Sequence, residues 1–108
     1  MELTARQARA VEISKLYDRY NTSAGRTEWT TGDLALGFVG DVGDLAKLVM
    51  AVDGRREIDD ARTRIGHELA DCLWSVLVLA DRYEIDLAAE FTRMTDELDA
   101  KLSVAVGN

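Results

Sequence analysis

The stretch "GFVGDVGDLAKLVM", residues 37–50, sets two carboxylates, Asp41 and Asp44, inside an otherwise apolar run. The chain has no proline, is rich in Ala, Leu, Glu and Arg, and shows no sustained strand-type alternation, so the stretch reads as helix. A three-residue spacing places both carboxylates on one helical face, a turn apart. Charge inside an apolar segment is costly unless something compensates it.

A second stretch repeats the arrangement. "GHELADCLWSVLVLA", residues 66–80, carries Glu68 and Asp71, again three apart and leading into an apolar run. Between Asp44 and Glu68 lie 23 residues. That length suits two antiparallel helices joined by a short loop, a geometry in which all four carboxylates converge. Four converging carboxylates need a counter-charge, either Arg and Lys side chains or a divalent cation. With no His or Cys among them, the donors suit Mg²⁺ or Mn²⁺ better than Zn²⁺ or copper. Helical i,i+3 acid pairs are also common on plain solvated faces, and that reading stands beside the metal one.

Outward from these segments, the chain organises as helices. It has 108 residues and no proline. Thr30-Thr31-Gly32-Asp33 offers a capping-box-like start to a helix running to about Val52, and Gly54 offers its C-terminal cap. "GRREIDD", residues 54–60, reads as a charged connector. A third helix is expected from Asp60 to Tyr83. A fourth is expected from Asp86, a good N-cap, to about Val104. The first is expected from Thr4 to Tyr20, with Val11, Ile13, Leu16, Tyr17 and Tyr20 on its apolar face. "NTSAGRTEW", residues 21–29, is expected to break it. The whole chain, 1–108, reads as one all-α domain, a four-helix bundle-like protomer. The second and third helices are apolar around most of their circumference, which calls for a dimer interface.

Composition narrows the function classes. A net charge of −7 argues against duplex binding through a basic face. The 47% of apolar residues is enough for a core, which excludes wholesale disorder. One cysteine, Cys72, permits no internal disulfide and fits a reducing cytoplasm. No signal-peptide core and no membrane-length apolar run is read, so the expectation is a cytoplasmic protein with no membrane or nucleic-acid partner.

D-x-x-D on one helix followed by E-x-x-D on the next resembles the MazG-like all-α nucleoside triphosphate pyrophosphatases. "FVGDVGDLAKL" is similar to that family's "GEVGEL" segment, with Asp in place of Glu twice. "HELADCLWSVLVLADRYEIDL" is similar to its second segment. The likeness runs from about Trp29 to Leu87 and is nearest to the short, single-domain branch that includes dCTP pyrophosphatases. It implies Mg²⁺-dependent hydrolysis of a (deoxy)nucleoside triphosphate to monophosphate and pyrophosphate, by an obligate dimer or dimer of dimers. It implies that Asp41, Asp44, Glu68 and Asp71 are the metal ligands and catalytic carboxylates. The chain departs from the family pattern at several points. Asp41 and Asp44 have shorter arms than Glu. His67 stands where Glu is common, and Ser75 where Tyr is. Met94 and Leu98 stand where a Lys and an Asn touch substrate. These departures leave a second reading open: a catalytically degenerate helical dimer serving as a nucleotide-binding or interaction module.

Four further residues are candidates for substrate contact. Trp29 stacks on a base or staples its loop onto the second helix. Trp74 flanks the site or fills the core. Lys47 and Arg55 follow the first acid pair and suit phosphate. His67 reads as a surface histidine and Cys72 as an inert buried thiol.

Overall fold

The computed structural model describes residues 2–107. All regular structure among them is helical: α1 Leu3–Ser23, α2 Thr31–Val52, α3 Ala61–Arg82 and α4 Leu87–Ala105.

The helix boundaries follow from local chemistry. Thr30 and Asp33 form the reciprocal capping box that begins α2. The Thr30 hydroxyl accepts from the Asp33 N–H at 3.0 Å, and the Asp33 carboxylate accepts from the Thr30 N–H at 2.9 Å. Past the other end of α2, Gly54 takes φ +83°, which glycine reaches without steric cost, and the Arg55 N–H closes onto the Met50 carbonyl. Asp86 caps α4 by accepting from the Ala89 N–H at 3.1 Å. Asp60 precedes α3 in the left-handed region at φ 56°, with no side-chain cap.

The first helix runs one turn further than its sequence suggests. Asn21, Thr22 and Ser23 belong to it rather than to the break. The Thr22 hydroxyl donates back to the Asp18 carbonyl and the Ser23 hydroxyl to the Tyr20 carbonyl. These bonds accommodate the polar side chains in a last turn instead of diverting the backbone. The helix stops where Gly25 turns at φ +78°.

α2 and α3 pack as a hairpin, α1 lies on α3, and α4 lies on α1. The core is small. Ala10, Leu34, Leu77 and Val78 form its centre, with Leu3, Trp74, Leu79 and Leu87 packed around them. Val78, 1% exposed, is the one large side chain among the described residues that is fully buried. α4 contributes no buried residue.

The outer faces are strongly apolar. Leu36 is 73% exposed and Val39 66% on α2, and Leu69 and Leu73 are exposed on α3. On α4, Phe91, Met94, Leu98 and Leu102 form an exposed stripe at three- and four-residue steps. The radius of gyration is 17.4 Å, against about 13 Å for a compact chain of this length. The protomer is therefore extended, and its apolar faces are left without an internal partner.

Candidate metal centre and its aromatic wall

The α2–α3 hairpin brings three of the four spaced carboxylates together. One oxygen from each of Asp41, Asp44 and Glu68 lies within 4.8 Å of the others. Asp41 and Glu68 are half-buried and Asp44 is exposed. The antiparallel pairing of two i,i+3 faces is what produces this convergence.

The electrostatics of the group are unrelieved. Burial first, then repulsion from Asp71 and Asp44, pushes the Asp41 carboxyl above the usual carboxylate range, with His67 pulling weakly the other way. Glu68 is raised likewise, by burial and then by Asp71, Asp41 and Asp44. The Glu68 Oε2 atom is buried with no hydrogen-bond partner. A three-carboxylate group, one of whose members also carries a buried, unpaired oxygen, fits a hard divalent cation, whose ligands are oxygens.

Asp71 stands one turn along α3 and is not in the three-oxygen group. Its Oδ2 lies 3.3 Å from Nε2 of the exposed His67. Its charge still reaches the cluster, since it raises both Asp41 and Glu68. Cys72 is half-buried, and burial followed by the neighbouring carboxylates pushes its thiol up, which keeps it neutral and unreactive.

Beside the carboxylates lies a cavity of about 390 Å³ whose walls include Asp41, Asp71, His67, Tyr17, Trp29 and Trp74. The three aromatic rings touch one another. Tyr17 and Trp29 are 4.9 Å apart between centroids, Tyr17 and Trp74 5.8 Å, and the two tryptophans 6.4 Å and nearly perpendicular. Trp74 combines the two roles open to it. Its Nε1–H donates to the Ala10 carbonyl at 3.2 Å and ties α1 to α3, while its ring borders the cavity. Trp29 packs on α1 through Tyr17, and its carbonyl accepts from Arg82 at 3.2 Å. The same guanidinium donates to the Thr31 hydroxyl, so Arg82 straps the α1–α2 loop to the end of α3.

Lys47 and Arg55 are exposed, make no ion pair among the described residues, and are not part of the cavity wall. Arg55 lies beyond the end of α2, where its N–H closes onto the Met50 carbonyl. Tyr17 and Arg82 were not singled out by the sequence as site residues. Tyr17 reads there only as one apolar position on α1, and Arg82 as a charge at a helix end.

No protein-family model, curated protein or solved structure matches the chain.

Proposed function

We propose that the chain is a Mg²⁺-dependent nucleotide pyrophosphohydrolase of the MazG-like all-α type, cleaving a (deoxy)nucleoside triphosphate to monophosphate and pyrophosphate. The observation that carries this reading is the three-carboxylate cluster with its unpaired Glu68 oxygen, set beside an aromatic-walled cavity. Asp41, Asp44 and Glu68 would hold the cation, Mg²⁺ or Mn²⁺. Bound there, it would neutralise the polyphosphate and acidify a water.

The protein's own groups divide the remaining work. Asp71 borders the cavity outside the cluster and takes the proton of the attacking water at a carboxylate oxygen. The water oxygen bonds to the α-phosphorus, the α–β bridging bond breaks, and pyrophosphate leaves. Trp29 and Trp74 present aromatic surface to the nucleoside. Lys47, on the same helix as the first acid pair, is the cation nearest in sequence for the outer phosphates.

In this reading the protein works as a homodimer or dimer of dimers. The extended shape and the uncovered stripes on α2, α3 and α4 support that assembly. No described helix is long and apolar enough to cross a membrane. The degenerate-module alternative draws on one feature of α4: the exposed Met94 and Leu98 offer no polar group to substrate.

Replacement of Glu68 or Asp71 by alanine should abolish metal-dependent turnover while leaving the helical circular dichroism intact. Turnover that survives both changes would remove the site assignment.

A further inference from the structure

The two tryptophans of the aromatic wall are held in different ways. Trp74 lies within α3, packs on the core and donates to the Ala10 carbonyl. Trp29 stands outside the helices, in the segment joining α1 to α2, and its ring meets Tyr17 and Trp74 by contact. Loops are the segments freest to open locally, so a ring carried on one is only as well placed as its backbone. One guanidinium fixes that backbone. Arg82, in the last turn of α3, donates from one terminal nitrogen to the Trp29 carbonyl and from the other to the Thr31 hydroxyl, each at 3.2 Å. Between these two acceptors stands Thr30, the N-cap of α2, which closes the capping box with Asp33. The planar fork of arginine serves two acceptors at once, and its charge suits a helix C-terminus. Among the described residues Arg82 makes no ion pair. It is not part of the cavity wall, and it lies about three turns along α3 from Asp71.

We infer that Arg82 is a positioning residue for the nucleoside: by clamping the backbone at Trp29 and Thr31 it holds the Trp29 ring where a base stacks. It acts through Trp29 and touches neither the base nor the carboxylates. The inference deepens the function proposed above and rests on that reading's placing of a base against Trp29. Its consequence is a division of labour along α3. Glu68 and Asp71 serve the cation and the phosphates, while Arg82, at the far end of the same helix, sets how well the base is held.

The test is a double-mutant cycle read with nucleosides, which carry no phosphate, in EDTA, so that the cluster plays no part. Uridine, cytidine, adenosine and guanosine are titrated by ligand-observed NMR into the wild type, and the best-bound of them into Arg82→Met, Arg82→Lys, Trp29→Leu and the Arg82→Met, Trp29→Leu pair. Arg82→Met should weaken binding about tenfold, within what one base–aromatic stack contributes. Arg82→Lys, which keeps the charge without the fork, should recover part of that loss. On the Trp29→Leu background Arg82→Met should change the affinity by less than about twofold, because the clamp has no ring left to hold. The Trp29 indole protons, displaced by the neighbouring rings in the wild type, should move toward free-indole positions in Arg82→Met. A purely stabilising role for Arg82 would lower the melting point and leave the cycle additive. If Arg82→Met does not fold, Arg82→Lys completes the same cycle with a smaller expected loss. An Arg82→Met protein that binds like the wild type, an additive cycle, unmoved Trp29 signals, or a wild type that binds no nucleoside would each overturn the inference. Arg82-dependent nucleoside binding without pyrophosphate release would sink the hydrolase reading and keep this one. Pyrophosphate release with nucleoside affinity unchanged in Arg82→Met would do the reverse.

Discussion

Glu68→Gln should stabilise the metal-free protein and at the same time abolish its stabilisation by divalent cations. Glu68 contributes one oxygen to a group in which all three lie within 4.8 Å. At that separation each pair of charges repels by about 1 kcal/mol in water and about 3 kcal/mol at an effective dielectric of 20. The cluster opens to solvent at Asp44, so the lower figure applies. Glutamine removes the two repulsions that Glu68 makes, for a gain of about 2 kcal/mol, and its amide can donate to the neighbouring carboxylates. For a domain of this size that corresponds to a rise in Tm of about 8 °C. Wild type in Mn²⁺ or Mg²⁺ at a hundred times Kd should gain about 2.7 kcal/mol, or about 10 °C. Glu68→Gln should lose most of that shift. Thermal melts at low salt, with EDTA or with added cation, give all four values. A Glu68→Gln protein that melts at or below the wild type in EDTA, or that keeps the full cation shift, would refute the reasoning.

Three further outcomes are expected. The folded carboxyls of Asp41 and Glu68 sit above their unfolded values, so between those values the native state binds more protons than the unfolded one. Stability in EDTA should therefore fall as pH rises from the unfolded carboxylate pKa through the raised folded ones, and added Mn²⁺ should flatten that profile. Thr30→Ala removes half of the α2 capping box and should cost about 1 kcal/mol, read as a lower urea midpoint at unchanged slope. Sedimentation equilibrium should give a multiple of the 11.9 kDa chain mass, and Leu98→Lys on the exposed α4 stripe should lower it; a wild-type monomer would remove the assembly reading.

What could be read from the sequence was what depends on neighbours along the chain. The Thr30–Asp33 box and the Asp86 cap are set within four residues, and both appear as expected. The carboxylate convergence was legible because an i,i+3 face is fixed by helical pitch, and a short connector leaves antiparallel pairing as the simplest packing. The extra turn of α1 was not legible. Asn, Thr and Ser signal a break by composition, and only the back-bonds to Asp18 and Tyr20 show them completing the helix. The aromatic wall was half legible, because Trp29 meets Tyr17 12 residues away and Trp74 45 residues away. The Arg82 strap spans 51 and 53 residues. No local spacing rule reaches that far. Asp71, expected with the other three acids, lies outside their three-oxygen group, and its Oδ2 is 3.3 Å from His67 Nε2, one helical turn earlier.

The most direct measurement of the central claim is product identification from a panel of NTPs and dNTPs, with Mg²⁺ or Mn²⁺, in ¹⁸O-labelled water. At least one nucleotide should be converted to equal amounts of monophosphate and pyrophosphate, with the label on the monophosphate, no reaction in EDTA, and none with Glu68→Ala. Release of orthophosphate instead, or no cleavage of any nucleotide by the folded, cation-bound protein, would contradict it.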